Sequence, residues 1–419
     1  MKKIDDKLRN IVEYVYNNVP FYKEKMDKVG IKPEDIITEE DFKNLPFMEK
    51  EDFRKNYPYG LFAVPLDKIM RVHSTSGTTG LPSLVGFTTD DWDRQAYLAS
   101  KVGKMPGITE KDIVQIIYGF GMFTGGIGWL EGLEKIGSLV IPSGTGNTKK
   151  QIDFLKQLKT TVLIGTPSYA MYLAESIKNS DIDINELNVN RILVGGEIMT
   201  ENIRNILKKL WNTDNVTQNY GFCEGGGAGI SGECIYQNGM HITEDYYPEI
   251  IDPETNKNLP INSTGEIVFT TINKQGLPLI RYKTHDITTL THEDCECGIS
   301  GYKMSTIIGR SDDMLKIKGV CVFPRRIEEI LLNNDFCSSN YQIVLETKNY
   351  LDEVNISVEL NDYLSNYSEE DLNKYKEYLK NKIKLELGIN VNINFVEKNT
   401  LERFEGKSRR VKDLRLSRS

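Results

Sequence analysis

Several kinds of residue and segment are scarce in this sequence, and their scarcity excludes several protein classes. The 419 residues contain 6 cysteines, 4 histidines and 3 tryptophans. So few cysteines do not make a disulfide-stapled fold and are typical of a reducing cytoplasm. Residues 1–20 alternate charged and apolar side chains, unlike a secretory signal, and no apolar run approaches the roughly 20 residues of a membrane-spanning helix. We therefore expect a cytoplasmic chain with no membrane partner.

Basic residues are also outnumbered by acidic ones. The chain has 52 Lys and Arg residues against 60 Asp and Glu residues, a formal net charge of −8. Proteins that bind nucleic acid are usually basic, so we expect no nucleic-acid partner. The length exceeds that of one typical domain and predicts two or more.

One short loop contains no cation, although its residue types suit an anion. Residues 74–82 read STSGTTGLP, and hydroxyl groups with unobstructed glycine amides can converge on the oxygens of a polyphosphate. The apolar stretches KIMRV and SLVGF on either side predict a strand, loop, strand arrangement. A plain surface turn is the alternative. If a nucleotide binds here, residues elsewhere must balance its charge.

The remaining pattern predicts an α/β protein with two domains. Strands such as VLIG (162–165) and RILVGG (191–196) alternate with helices such as TENIRNILKKLW. Near the C-terminus, YQIVLE, EVNISVEL and VNINFV predict strands, and Ser368 with Asp371 predicts the start of a helix. We predict a large N-terminal domain of mixed sheets and helices over residues 1–311 and a small mobile α+β domain over residues 312–419.

Four further segments carry residues that catalysis could use. They are NYGFCEGGG with Glu224, LIRYKTHD with Asp286, GRSDDMLKIKG with Asp312, and FEGKSRRVKD with Lys407. Each alone is more often a loop acid, a helix cap, a solvated charged face or a basic tail. Short motifs match by chance, so their order along the chain is the stronger signal.

In that order, STSGTTG, YGFCE, RYKTHD, GRSDDMLKIKG and EGK resemble the motifs of the acyl-adenylate-forming superfamily. The segments YGFGMFTGGIG, TPSYA and HITEDYYPEIIDPET bring the chain closer to the phenylacetate-CoA ligase family, from about residue 14 to residue 415. The resemblance implies an AMP-forming acid–thiol ligase. Such an enzyme uses ATP to adenylate a carboxylic acid and then passes the acyl group to coenzyme A.

The resemblance also implies roles for individual residues. Two anionic reactants about 4 Å apart repel by roughly 4 kcal/mol at an effective dielectric constant near 20, so Mg²⁺ at Glu224 and the Lys407 ammonium would supply positive charge. Asp286 would accept hydrogen bonds from the ribose, and Asp312 would be the hinge of the C-terminal domain. The implied nucleotide-binding residues are Ser74, Thr75, Ser76, Gly77, Thr78, Thr79, Gly80, Gly195, Gly196, Glu197, Asn219, Tyr220, Gly221, Asp286 and Arg310.

One residue departs from the family pattern. Family members carry lysine after the second glycine, in GTTGKP, whereas this chain has Leu81. Any phosphate contact of that lysine is therefore missing. A catalytically silent nucleotide-binding protein is the alternative that this departure suggests, although retention of Glu224, Asp286, Asp312 and Lys407 favours an enzyme.

A separate group of residues has the composition of a metal site. Cys234, His241, Cys295 and Cys297 offer three thiolates and one imidazole, which suit tetrahedral Zn²⁺. The spacings differ from those of common zinc fingers, so reduced cysteines that merely pack are the alternative. The family resemblance favours zinc, and four protein ligands would make its role structural.

The acyl substrate is suggested by aromatic residues and glycines. A flat aromatic acid would fit a pocket formed by Tyr118, Phe120, Gly121, Phe123, Gly225 and Gly226, although aromatic residues there are also ordinary core. The resemblance implies an aryl or arylacetic acid. The acyl acceptor is coenzyme A or, alternatively, an amine, an amino acid or a carrier-protein thiol, and a homodimer is one assembly that the family leaves open.

Overall fold

The computed structural model describes residues 3–75, 82–180, 182–313, 315–317, 320–334, 336–348, 351–402 and 410–415. These residues form an α/β structure that divides into two compact units. The larger unit comprises Met1–Met199 and Ile206–Ile307, and the smaller comprises Thr200–Asn205 and Ile308–Ser419. The α/β class confirms the expectation from the sequence, while the functional division between residues 311 and 312 stays a prediction.

The elements before residue 308 are, in chain order, α1 (Asp6–Asn18), α2 (Pro20–Lys28), α3 (Glu39–Lys43), α4 (Lys50–Lys55), β1 (Arg71–Ser74), β2 (Leu84–Phe87), α5 (Thr89–Lys104), β3 (Ile113–Ile116), α6 (Thr124–Ile136), β4 (Leu139–Ile141), α7 (Thr148–Gln157), β5 (Val162–Gly165), α8 (Pro167–Lys178), β6 (Arg191–Val194), α9 (Glu201–Trp211), β7 (Val216–Tyr220), β8 (Ser231–Glu233), β9 (Met240–Ile242), β10 (Tyr246–Ile251), β11 (Thr264–Thr271), β12 (Tyr282–His292) and β13 (Tyr302–Met304).

A mixed sheet forms the framework of the larger unit. Strands β4, β3, β5, β6 and β7 are parallel neighbours in that order. The sheet continues in antiparallel pairing through β8, β9, β13, β12, β11 and β10. All four residues of β5 are buried, as expected of a parallel strand with helices over both faces. The sheet therefore brings the carboxyl ends of β3, β5, β6 and β7 to one edge.

Helices in this unit begin where the sequence satisfies free backbone N–H groups. At α5, the hydroxyl of Thr88 accepts from Asp91 N and the Asp91 carboxylate accepts from Thr88 N, a reciprocal capping box. At α8, Pro167 occupies the first turn and Thr166 accepts from Tyr169 N. Helices α5 and α6 then pack on the parallel strands, with Trp129 and Leu133 almost fully buried. This packing fixes the segments on either side of each helix.

The elements of the smaller unit beyond residue 307 are β14 (Gly309–Arg310), β15 (Leu315–Ile317), β16 (Val320–Val322), α10 (Pro324–Leu332), β17 (Cys337–Lys348), β18 (Leu351–Leu360), α11 (Glu369–Leu387), β19 (Asn392–Val396) and β20 (Val411–Asp413).

The smaller unit is the α+β structure that the sequence predicts. Its sheet has the order β19-β18-β17-β20, and α11 buries Leu379 and Ile383. The predicted cap is confirmed, because Ser368 Oγ accepts from Asp371 N at 3.1 Å. Strand β20 pairs in parallel with β17 and was not expected from the sequence. Among the described residues, every helix is too short or too polar to cross a lipid bilayer.

Candidate functional site

Residues 195–197 and 219–221, which are expected to bind the nucleotide, lie at one edge of the parallel sheet in the larger unit. Residues 118–123 follow β3, residues 195–197 follow β6, and Asn219 and Tyr220 end β7. Because these strands are parallel neighbours, their carboxyl ends meet at the same edge, where open α/β sheets commonly bind ligands. The sheet thus brings together segments that are about a hundred residues apart in the sequence.

Gly195 packs directly on Asn219. A side-chain carbon at Gly195 would lie 2.7 Å from both Asn219 O and Asn219 Oδ1, so only glycine allows this approach. Asn219 Nδ2 donates to Val194 O at 3.1 Å, which fixes the amide. Tyr118 joins the group, since its hydroxyl interacts with the Asn219 side chain and the Gly195 backbone, and burial raises its pKa. Tyr118, expected at the acyl pocket, therefore also positions the residues expected around adenine.

Glu197 has a structural task in addition to its expected role. Its carboxylate accepts from Ser168 N at 3.0 Å and from Ser168 Oγ at 2.8 Å. Ser168 lies in the first turn of α8, where a negative charge is favourable. The residue therefore anchors the loop after β6 to the start of α8, and its adenine contact stays a prediction.

Tyr220 and Asp286 are joined directly. Tyr220 Oη donates to Asp286 Oδ2 at 2.6 Å, and both side chains are buried. Asp286 lies on β12, where its neighbour His285 has a positive φ of 64° and the pairing with β11 shifts register. A carboxylate has about four acceptor positions, so the bond from Tyr220 is compatible with bonds from ribose hydroxyls.

Glu224 lies in a tight turn after β7 and is 5% exposed. Tyr246 Oη donates to Gly225 O at 2.8 Å, and Gly226, with φ of 123°, has Gln95 Oε1 where a side chain would lie. The glycines thus allow α5 to pack against the turn and hold Glu224 in place.

The loop 74–82 is described only at its two ends. Strands β1 and β2 are antiparallel, which confirms the expected strand, loop, strand arrangement. Ser74 N donates to Met122 O at 2.9 Å, and Thr75 and Ser83 are joined by two hydrogen bonds, Thr75 N to Ser83 O at 3.2 Å and Ser83 N to Thr75 Oγ1 at 3.1 Å. The loop therefore begins and ends beside the segment after β3. Ser76, Gly77, Thr78, Thr79, Gly80 and Leu81 lie outside the described residues.

The residues expected at the acyl pocket differ in exposure. Phe120 is partly buried against the core that contains Trp129, whereas Phe123 is 49% exposed as the residue before α6. Gly121 has φ of 110°, which favours glycine. The acyl-pocket role of these residues, of Gly225 and of Gly226 stays a prediction.

In the smaller unit, Arg310 and Asp312 form a bidentate ion pair. Arg310 Nε donates to Asp312 Oδ1 at 2.9 Å and Arg310 Nη2 donates to Asp312 Oδ2 at 2.8 Å. This pair fixes the two side chains relative to each other within one turn of chain. Lys407, expected to be the catalytic lysine, lies outside the described residues.

The cysteine and histidine group forms a compact cluster. One ligand atom each from Cys234, His241, Cys295 and Cys297 lies within 4.8 Å of the others. The Cys234 and Cys295 sulfurs are 3.8 Å apart, and Cys297 Sγ is 3.4 Å from His241 Nε2. Tetrahedral zinc with its usual bond lengths requires sulfur–sulfur and sulfur–nitrogen separations of about 3.8 and about 3.6 Å. These two separations are close to those of tetrahedral zinc, and the residue types suit that metal.

Sequence reasoning missed Lys274. Its Nζ is buried and has no hydrogen-bond partner within the described part of the chain, and the charges of Asp91, Cys223 and Glu224 act on it. The local sequence NKQGLP does not distinguish this lysine from a solvent-exposed one. Its burial arises only from the fold.

Comparison with known proteins gives consistent matches over the chain. A family model described as AMP-binding enzyme matches residues 22–273, and one described as AMP-binding enzyme C-terminal domain matches residues 319–415. The phenylacetate-coenzyme A ligase of Thermus thermophilus is 37% identical over 98% of this chain and 96% of its own length. That of Pseudomonas putida is 37% identical over 98% of this chain and 93% of its own. The structure of 2-hydroxyisobutyryl-CoA ligase in complex with 2-HIB-AMP matches with a TM-score of 0.91 at 25% identity, over 97% of this chain and 88% of that one.

Proposed function

Because the chain belongs to the AMP-binding enzymes and, within them, to the phenylacetate-coenzyme A ligase family, we propose that its acid substrate is phenylacetate or a close arylacetic relative. The chain is an AMP-forming acid–coenzyme A ligase, which adenylates its acid with ATP and transfers the acyl group to coenzyme A. The names of its relatives support the arylacetic substrate. The aromatic residues Tyr118 and Phe120 beside the sheet edge are compatible with it.

The main support for the proposed nucleotide site is the hydrogen bond between Tyr220 and Asp286. It joins the end of β7 to β12, so that an acceptor suited to ribose hydroxyls lies beside the segments expected to hold adenine. Gly195 and Asn219 pack at the same edge. We assign adenosine to this region because a carboxylate, amide groups and close-packed backbone are grouped there.

In this proposal, Mg²⁺ held at Glu224 and the Lys407 ammonium would supply the positive charge that adenylation needs. The buried carboxylate of Glu224 suits Mg²⁺, which takes oxygen ligands and accompanies the phosphates of ATP. Lys407 would act in the transition state, where its ammonium offsets the charge that develops between the acid and the α-phosphate. Asp312, paired with Arg310, keeps its proposed role as the hinge for the C-terminal domain.

Zinc at Cys234, His241, Cys295 and Cys297 is a further part of the proposal. The sulfur–sulfur distance of 3.8 Å and the sulfur–nitrogen distance of 3.4 Å support it. Three thiolates and one imidazole fill a tetrahedral shell, so this metal would stabilise β8, β9 and the loop before β13 and take no part in the chemistry.

The test is an assay of acid-dependent exchange of labelled pyrophosphate into ATP. Purified protein is given phenylacetate, hydroxyphenylacetates, benzoate and aliphatic acids of similar size, one at a time. We expect exchange with phenylacetate or a close relative and little with aliphatic acids. Exchange that favours an aliphatic acid would contradict the substrate, and no exchange with any acid would favour a silent nucleotide-binding protein.

The acyl acceptor is tested separately on the best acid. We expect a coenzyme A thioester and free AMP in equal amounts when coenzyme A is added. Formation of an amide with added amines or amino acids, without thioester, would instead support the alternative acceptor. Pyrophosphate exchange reports formation of the adenylate, and the product assay reports transfer of the acyl group from it. The two measurements therefore separate the two half-reactions.

A further inference from the structure

Lys274 follows β11, and protein atoms enclose its ammonium. The Nζ atom is buried and has no hydrogen-bond partner within the residues that the structure describes. It lies 4.2 Å from the centroid of the Phe87 ring. An ammonium removed from water without a partner is costly, and lysine usually extends to solvent. The cost of burying such an ammonium is offset when an anion comes to lie beside it.

The backbone beside Lys274 is held firmly in place. Asp91 Oδ1 accepts from Gln275 N at 2.7 Å, and Asp91 Oδ2 accepts from Gly276 N at 2.8 Å. The same carboxylate accepts from Thr88 N at 3.0 Å. Asp91 therefore fixes the turn that carries Lys274 and acts on the ammonium as a nearby charge, with its oxygens engaged by backbone groups.

Lys274 interacts electrostatically with titratable groups on several elements. Asp91 of α5 and the turn with Cys223 and Glu224 act on the ammonium, and Lys274 in turn acts on His73 of β1. Lys274 therefore lies in the field of both the Glu224 turn and the strand that leads into the loop 74–82.

Lys274 also lines a cavity of about 20 Å³, which is room for about one water molecule. Arg94 and Asp245 lie on the same cavity wall. They form a close ion pair, Arg94 Nε to Asp245 Oδ2 at 2.7 Å, so each already has an opposite charge beside it. Lys274 differs from Arg94 because its ammonium has no such contact within the described ranges.

We propose that Lys274 is a positioning residue of the nucleotide site, whose ammonium offsets the negative charge that gathers at Glu224 when Mg·ATP binds. This inference rests on the proposed function. The loop 74–82 contains no cation, while the Glu224 carboxylate and the phosphates of ATP are both anionic. A fixed positive charge beside the Glu224 turn lowers the free energy of the complex, and the low dielectric of the buried site strengthens this effect.

The proposal predicts a specific pH dependence. Burial lowers the pKa of Lys274 to about 8, against the opposing effects of Asp91, Cys223 and Glu224. Binding of the anionic nucleotide raises the pKa of Lys274. The protein therefore binds Mg·ATP more tightly when Lys274 is protonated. The affinity for Mg·ATP is therefore highest below about pH 8 and falls as the pH rises above this value. Burial, followed by the Glu224 charge, raises the pKa of Cys223 to about 12, and burial lowers that of His73, so neither group titrates in this window.

The experiment is calorimetric titration of Mg·ATP, without any acid, between about pH 7 and about pH 9.5. We expect Lys274→Met to weaken binding by about tenfold at neutral pH and to abolish the loss of affinity above pH 8. Lys274→Arg should keep most of the affinity and also lose the pH dependence, because a guanidinium stays charged throughout. Arg94→Met is the matched control, since it removes a paired cation from the same cavity wall and should bind as the wild type does.

Wild-type affinity and an unchanged pH profile in Lys274→Met would overturn the proposal. If neither variant at position 274 folds, the wild-type profile decides, because constant affinity across this pH range would exclude a titrating ammonium. Failure of the proposed ligase function gives a different result. In that case Mg·ATP binds with the expected pH dependence, and no acid supports pyrophosphate exchange.

Discussion

Tyr220 and Asp286 are 66 residues apart in the sequence, and Tyr220 Oη donates to Asp286 Oδ2 at 2.6 Å. Tyr220 ends β7 and Asp286 lies on β12, so the bond connects the parallel part of the sheet with its antiparallel part. Short hydrogen bonds to a carboxylate are among the stronger ones in proteins. The bond therefore orients the Asp286 carboxylate before any nucleotide binds.

Tyr220→Phe tests this orientation. The substitution keeps the aromatic ring and removes the hydroxyl, so a hydrogen bond to a charged group worth about 1.5–3 kcal/mol is lost. We expect the KM for ATP to rise by about tenfold or more, with little change in the KM for the acid. Steady-state kinetics of pyrophosphate exchange measures both. Tyr172→Phe, at a half-exposed position on α8, is the control, and an unchanged KM for ATP in Tyr220→Phe would show that Asp286 is oriented by other groups.

Gly195→Ala tests the close packing at the end of β6. The new methyl group would lie 2.7 Å from Asn219 O and Oδ1, so Asn219 must shift at a cost of about 1–3 kcal/mol. We expect weaker ATP binding by about tenfold in a direct binding measurement. Gly125→Ala on α6 meets nothing within 4 Å and should bind ATP normally. Equal affinity in the two variants would exclude a role for this contact.

Local signals allowed much of the fold to be predicted from the sequence. The stretch VLIG gave β5 because a strand buried on both faces is continuously apolar, and Ser368 marked the start of α11 because it accepts from Asp371 N. Strand β20 could not be predicted in the same way. It has three residues, and its pairing with β17 depends on chain segments about seventy residues apart.

The site was predictable to the extent that its residues belong to motifs. Motif order predicted roles for Tyr220 and Asp286, and the family resemblance added Gly195. The contacts among these residues depend on sheet order, which spacing does not reveal. Glu197 was expected only at adenine, yet its carboxylate anchors Ser168 of α8. Lys274 carries no sequence signal, because the burial of its ammonium arises only from the fold. Asp91, which is 183 residues earlier in the chain, binds the backbone beside it.

Cys295→Ser tests the zinc site. A serine oxygen is a weaker ligand for zinc than a thiolate, so we expect loss of bound metal and a fall in Tm of about 5 °C or more. Mass spectrometry of metal content and calorimetry measure the two effects. Cys337→Ser is the matched control, because Cys337 is buried in the core of the smaller unit and is not a member of the cluster; it should lower Tm without changing the metal content. Purified wild-type protein that contains no zinc would contradict the assignment.

Lys407→Ala tests the source of positive charge in the transition state. If the Lys407 ammonium offsets charge that develops only as the acid attacks the α-phosphate, its loss lowers kcat and leaves ground-state binding of ATP nearly unchanged. We expect pyrophosphate exchange to fall by about three orders of magnitude or more, with ATP affinity within about twofold of the wild type. Lys412→Ala, at an exposed position on β20, controls for general loss of charge in this segment and should exchange normally. Thioester formation from pre-made acyl-adenylate separates the half-reactions, because the proposed role of Lys407 is confined to adenylation. A parallel loss of ATP binding and exchange in Lys407→Ala would instead make it a ground-state phosphate ligand, and the charge that drives adenylation would have to come from another residue.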